Sequence, residues 1–267
     1  MRINAGEIYK SLEVIRQKAP VVHNITNYVV MNNTANALLA IGASPVMAHA
    51  PEEVEEMVNI ASALVINIGT LSERWIYSMF KAVAQATKYG TPVILDPVGV
   101  GATSYRTQTA RELIAKNSPA IIRGNASEIM ALYDDKAKTK GVDSASSSDN
   151  AIAIAQKLSD TYNCVVCVSG ETDYIVKGKD IFRVGNGHLL MTRVTGLGCT
   201  SSAICGAFAA VENDFVAATV KAMAVMGIAG EIAAEKSAGP GSMQMHFLDC
   251  LYGLKEDDIH RRLKAGE

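Results

Sequence analysis

The chain has 267 residues, 49% of them hydrophobic, and a formal net charge of −2. That length suits one α/β domain, and no composition shift marks a linker, so a single domain over residues 1–267 is expected. Scattered basic residues exclude nucleic acid as the main partner. The most apolar stretch, 216–234, carries Lys221 and Glu231 and reads as a buried helix, so no membrane partner is expected. The first 18 residues are polar and periodic, and the five cysteines are an odd set. Both point to a reducing cytoplasm.

Residues 6–18 have the 3.6-residue period of an amphipathic helix. A short strand over 20–23, a helix over 27–40 and a strand over 45–48 follow. Helix 51–62 opens with acids, as the helix dipole favours. Strand 63–68, helix 72–89 and strand 92–95 come next, the last ending at Asp96-Pro97. Helix 104–117 leads to strand 120–122 and then Arg123-Gly124-Asn125. Helix 149–162 is announced by the serines at 146–148, which favour helix starts. Strand 164–168 precedes a hairpin of 174–176 and 181–184. From Thr200 onward the pattern is helical, with a break at Gly239-Pro240-Gly241. Short apolar strands alternating with helices predict a mostly parallel sheet covered on both faces. Cys164 and Cys167 form a Cys-x-x-Cys pair, but on a strand residues three apart point to opposite faces and cannot clamp one metal.

In such sheets, ligands bind beyond the carboxyl ends of the strands. Four strand ends should share that rim: Asn67-Ile68-Gly69-Thr70, Asp96-Pro97-Val98-Gly99, Arg123-Gly124-Asn125 and Ser169-Gly170. The stretch Val194-Thr195-Gly196-Leu197-Gly198-Cys199-Thr200 is the most informative. Two glycines precede a helix whose first amides lack carbonyl partners, and the dipole adds roughly half a positive charge there. Gly196, Leu197, Gly198 and Cys199 therefore read as an anion hole. Cys199, at a helix start, is expected to be more acidic than a free thiol at about 8.5 and to serve as a base; alternatively it is a small residue that fits. Asp96 either holds Mg²⁺ through water or makes a turn. Asn125 and Glu128 form a capping-box pattern, which also puts the acid on the rim. Arg123 can grip a phosphate or pair with a neighbouring carboxylate. Met47, His49 and the run from His23 to Asn27 can wall a small-molecule pocket. No Walker-type glycine motif is present.

Six segments, in order, resemble the hydroxyethylthiazole kinases of the ribokinase-like superfamily: His23-Asn-Ile-Thr-Asn-Tyr-Val-Val, Gly42-Ala-Ser-Pro-Val-Met-Ala, Asn67-Ile-Gly-Thr, Leu95-Asp-Pro-Val-Gly, Arg123-Gly-Asn-Ala-Ser-Glu and Val194-Thr-Gly-Leu-Gly-Cys. The resemblance implies a three-layer α/β/α ribokinase-like fold with a mostly parallel central sheet. It implies ATP-dependent phosphorylation of the hydroxyl of 4-methyl-5-(2-hydroxyethyl)thiazole, a salvage step toward thiamine. It further implies Mg²⁺, ATP as co-substrate, and a homotrimer with active sites at subunit interfaces. Carried over by position, Met47 and Gly196 contact the thiazole, with Asn27, Gly69 and Thr70 as further substrate neighbours. Arg123 and Ser169 contact ATP, and Asp96 and Glu128 organise the metal. Cys199 stands where most of the superfamily has an aspartate base, which leaves two candidates for the substrate proton, this thiol and the γ-phosphate itself. Ser169 replaces a common threonine but keeps the hydroxyl, and Leu197 replaces a smaller residue. Two other readings belong to the same fold: a nucleotide-dependent NAD(P)H-hydrate dehydratase, and a non-catalytic thiazole or nucleotide sensor.

Overall fold

The apolar strands assemble at the centre of the molecule. The computed structural model describes residues 4–133 and 144–266, without the side chains of 144–148. Among these residues one sheet runs in the order β2 (Ser44–Val46), β1 (Val21–Ile25), β3 (Ala63–Asn67), β4 (Val93–Asp96), β5 (Ile121–Asn125), β6 (Val165–Ser169), β7 (Asp173–Lys177), β8 (Asp180–Val184) and β9 (Ala265–Gly266). The first six are parallel neighbours. The expected hairpin β7–β8 then adds antiparallel strands, and β9 pairs with β8.

Side-chain alternation divides the apolar residues between two cores. Leu64 and Ile66 enter one; Ala63 and Val65 enter the other. The first core is closed by α3 (Val54–Ile60), α4 (Glu73–Tyr89), α5 (Ser104–Lys116), α6 (Ala126–Tyr133) and α7 (Ser144–Tyr162). The second is closed by α1 (Ala5–Lys18), α2 (Met31–Ala40), α8 (Leu197–Ala209), α9 (Phe215–Glu235), α10 (Pro240–Gly253) and α11 (Glu256–Arg262). The result is the expected α/β/α layering. Cys164 lies in one core and Cys167 in the other, so the Cys-x-x-Cys pair is split across the sheet. Among the described residues α9 is the one helix long and apolar enough to cross a membrane, and 83% of its apolar window is buried in the second core.

Capping sets several helix starts. Asn4 and Glu7 form a capping box on α1, and Asp214 accepts from Val216 and Ala217 at the head of α9. Pro240 takes the first position of α10, where its missing N–H costs nothing.

Some boundaries differ from the sequence pattern. Helix α2 begins at Met31, not at residue 27, which leaves Asn27 and Tyr28 in a turn on the rim. Helix α7 begins at Ser144, five residues before the expected start, and the side chains of the serines proposed as its cap lie outside the described residues. Strand β5 includes Arg123, paired with Cys167, so this arginine stands within the strand and not beyond its end. Helix α8 begins at Leu197, three residues before Thr200, and that shift shapes the site.

Candidate active site

The glycine turn joins the rim of the sheet. Gly196 is the N-cap of α8 and adopts φ 85°, a left-handed conformation that favours glycine. A β-carbon there would also sit 2.8 Å from Val30 Cγ1. The carbonyl of Gly196 accepts from Thr200 N at 2.8 Å, closing the first helical bond. The amides of Leu197, Gly198 and Cys199 thus form the open first turn, where helix geometry supplies no carbonyl. The Leu197 side chain turns into the core, 8% exposed, and leaves its amide to the turn. Close packing brings α8 to this position: a β-carbon on Gly206 would meet Val65 Cγ2 at 2.9 Å and Val22 Cγ1 at 3.2 Å.

Arg123 lies under this first turn. A β-carbon on Gly198 would be 3.1 Å from Arg123 Nη1, so the glycine lets the guanidinium approach the helix start. Arg123 Nε is buried with no hydrogen-bond partner, and among the described residues no carboxylate oxygen comes within ion-pair distance of this side chain. Burial works against its charge, but the fields of Asp96 and Asp173 carry its pKa above the ordinary arginine value. A committed cation beside free amides is a phosphate-sized anion site. Ser169 ends the neighbouring strand β6, where its hydroxyl donates to the Gly124 carbonyl at 3.2 Å.

A relay of amides links Cys199 to the buried carboxylate. Asn27 Nδ2 donates to Cys199 Sγ at 3.5 Å and to Asn67 Oδ1 at 2.9 Å. Asn67 Nδ2 donates to Asp96 Oδ2 at 2.8 Å, and Ser202 Oγ donates to the same oxygen at 2.9 Å. Gly69 N also donates to Asn67 Oδ1, at 2.9 Å, which ties the post-β3 loop into the relay. Asn67 was visible as part of a rim motif. Ser202 was not singled out, although it lies three residues after Cys199 and so on the same helix face.

The thiol corrects an expectation. Burial pushes Cys199 up to about 12, and the field of Asp96 adds to this, while Asn67, Asn27 and Arg123 pull the other way without prevailing. Desolvation of the thiolate is the largest of these effects. Cys199 is therefore a protonated thiol at neutral pH, not the acidified one its position suggested.

Asp96 ends β4 and is 1% exposed. Burial raises its pKa to about 6; Arg123 lowers it and the charge of Glu128 raises it. Glu128 makes the capping box read from the sequence: its N–H donates to Asn125 Oδ1, and its Oε2 accepts from Asn125 N, both at 2.9 Å. Its Oε1 accepts from Gly99 N at 2.9 Å, so one side chain joins the loop after β4 to the junction of β5 and α6. Among the described residues no three His, Cys, Asp or Glu side chains gather as a metal cage. Mg²⁺ needs no such cage when water and phosphates supply most of its ligands. Asp96 Oδ1 receives no hydrogen bond among the described residues, and the like charge of Glu128 acts on Asp96, a pairing that suits a cation of that kind.

The remaining candidates spread toward the sheet edge. Thr70 Oγ1 accepts from Tyr28 N at 3.2 Å, which closes the β1 turn over the β3 loop. Met47 follows the edge strand β2, three strands from β4, and at ordinary strand spacing stands about 14 Å from Asp96. It is half-buried. His49 packs against Trp75 with ring centroids 4.6 Å apart and planes tilted by 45°, and Tyr28 packs on the same indole at 4.7 Å and 41°. His23 is fully buried, with Nε2 2.7 Å from the Ala48 carbonyl and Nδ1 without a hydrogen-bond partner.

Residues 12–257 match the profile of the hydroxyethylthiazole kinase family. A protein from Syntrophus aciditrophicus (strain SB) named hydroxyethylthiazole kinase is 60% identical over the whole of both chains. The structure of a hydroxyethylthiazole kinase protein from Pyrococcus horikoshii OT3 is 44% identical and superposes with a TM-score of 0.90, covering 97% of this chain and 98% of that one. A ribokinase-like superfamily protein from Enterococcus faecalis V583, 15% identical, shares the fold at a TM-score of 0.64, over 90% of this chain and 87% of that one. With its ribokinase-like fold and this match along nearly its whole length, the chain belongs to the hydroxyethylthiazole kinase family.

Proposed function

We propose that this chain, as a single domain, transfers the γ-phosphoryl group of ATP to the hydroxyl of 4-methyl-5-(2-hydroxyethyl)thiazole, a step that supplies thiamine synthesis. The observation that carries the reading is the first turn of α8, with free amides, Arg123 beneath Gly198, and Cys199 on the same turn. Family membership favours this activity over the hydrate-dehydratase and sensor readings.

Phosphoryl transfer needs positioning and charge neutralisation more than covalent help from the protein. In this reading, Arg123 and Ser169 hold ATP, and the amides of Leu197, Gly198 and Cys199 receive the charge that develops on the transferring group. The substrate alcohol lies beside Cys199, with Asn27, Gly69, Thr70 and the Gly196 backbone as its neighbours. A thiol held near 12 is a poor base. Cys199 accordingly orients the hydroxyl, and the proton passes to a phosphoryl oxygen. Asp96 and Glu128 would hold Mg²⁺, which when bound neutralises phosphate charge. Asn67 and Ser202 fix the orientation of the Asp96 carboxyl.

A homotrimer with its sites at subunit boundaries accords with the exposed side chains here. Tyr28 and Val29, next to the candidate alcohol site, are 64% and 63% exposed. Met47, at the sheet edge, would complete a thiazole pocket at such a boundary. The cytoplasm, where ATP is supplied, is the proposed location.

The test is ADP release from the purified chain with ATP and Mg²⁺, with the thiazole alcohol or hydrated NADH as second substrate, alongside sedimentation. Release that requires the alcohol supports the reading. Release only with hydrated NADH, or binding without any ADP, contradicts it.

A further inference from the structure

Two loops follow directly on Asn67 and Asp96, the strand-end members of the relay, and one side chain outside them holds both. Arg106 is the third residue of α5, a helix capped by Thr103. Its Nη1 donates to the Ile68 carbonyl at 2.7 Å and to the Val98 carbonyl at 2.9 Å. Its Nη2 donates to the Gly69 carbonyl at 2.8 Å. The guanidinium therefore spends its charge on three main-chain oxygens of the loops after β3 and β4. Among the described residues no carboxylate pairs with it. The side chain is half-buried, and its Cδ packs 3.4 Å from where Gly99 would carry a β-carbon.

What these loops present gives the contact its meaning. The first carries Gly69, whose N–H fixes Asn67 Oδ1, and Thr70, bonded to Tyr28 N. The second carries Gly99, whose N–H fixes Glu128. We propose that Arg106 is a positioning residue: it locks these two loops in one register, so that the alcohol site and the carboxylates Asp96 and Glu128 keep a fixed spacing. A planar guanidinium can reach three carbonyls in two directions; an ammonium is a single point charge. The ATP contacts proposed above, Arg123 and Ser169, lie on β5 and β6, outside the clamp. The inference rests on the thiazole kinase reading.

The test uses the full chain with Arg106→Ala and Arg106→Lys. Each variant is compared with wild type in thiazole KM, in kcat, in affinity for a non-hydrolysable ATP analogue, and in melting temperature. For Arg106→Ala, kcat/KM for the alcohol should fall on the order of 100-fold, since misplacement of about 1 Å has that effect. Affinity for the analogue measured without Mg²⁺ should stay within about twofold, because Arg123 and Ser169 lie on strands outside the clamp. Added guanidinium ion at millimolar concentration should restore part of the activity of Arg106→Ala. Arg106→Lys, which keeps the charge and the packing, should remain folded and lie between Ala and wild type. Wild-type kcat/KM in Arg106→Ala overturns the clamp. So does an equal loss of analogue affinity in the folded Arg106→Lys protein, which would mark a general structural role. A wild-type chain that binds the analogue but releases no ADP with the alcohol overturns the functional reading itself, a distinct result from an active wild type with an unimpaired variant.

Discussion

Gly198→Ala separates the anion turn from the stability of the fold. The new β-carbon would lie 3.1 Å from Arg123 Nη1 and 3.7 Å from Nη2. Ordinary van der Waals separation is about 3.5–4.0 Å, so the guanidinium must retreat by about 0.5 Å. Its head is the flexible end of a long side chain and can do so. Helix propensity works the other way: alanine in place of glycine gains roughly 0.8–1 kcal/mol in a helix interior, and a fraction of that at Gly198, the second residue of α8. The melting temperature should therefore hold or rise slightly. A displaced guanidinium forfeits one of its charge-assisted hydrogen bonds to phosphate, about 1.5–3 kcal/mol. That predicts ATP-analogue binding weaker by roughly 10- to 100-fold. Titration calorimetry with the analogue, a melting curve, and the thiazole KM at saturating ATP read the three quantities separately. Arg123→Ala sets the scale and should weaken ATP more than the thiazole. Unchanged analogue affinity in a well-folded Gly198→Ala protein would refute the placement of phosphate between this turn and Arg123. A rise in thiazole KM alone would refute it as well.

Cys199→Asp should retain or raise turnover, because it supplies a carboxylate where the thiol is held near 12. The nearby Asp96 would also keep the new acid's pKa high enough to accept a proton. Complete loss of ADP release with normal ligand binding would oppose this. Asp173 offers a stability test against pH. Burial raises it from the ordinary 3.8 to about 6, against the pull of its Gly170 hydrogen bond and Arg123. The folded state thus binds the proton more tightly than the unfolded one. Its contribution is fully present below about pH 4 and is lost as pH rises through about 6. Asp173→Asn keeps an acceptor for Gly170 N and removes the titration. In urea unfolding, wild type should lose on the order of 2–3 kcal/mol relative to this variant between pH 4 and pH 7. A stability difference that stays constant with pH would count against the buried acid.

Features governed by local chemistry were legible in the sequence. Alternating apolar strands gave the two-sided sheet, and Asp96 before Pro97 closed a strand as expected. The Asn125–Glu128 spacing gave a capping box that the structure contains. The split of Cys164 from Cys167 followed from strand geometry alone. Tertiary packing decided the rest. Val29 and Val30 continue an apolar pattern, yet the chain after β1 must turn over the rim before α2 can start at Met31. Helix α8 starts early because Gly196 takes a left-handed cap that releases Leu197 and Gly198 into the helix. The pKa of Cys199 depends on how much protein surrounds it, which no local pattern encodes. Arg106 looked like any arginine in the first turn of a helix. Its carbonyl partners lie 8, 37 and 38 residues away in the chain.

A structure with the thiazole alcohol and a non-hydrolysable ATP analogue bound tests the central claim most directly. The γ-phosphate should rest against the amides of Leu197, Gly198 and Cys199 with Arg123 beside it, and the alcohol oxygen should lie within hydrogen-bonding reach of Cys199 Sγ. A γ-phosphate bound away from that helix start, with the alcohol remote from the sulfur, would contradict it.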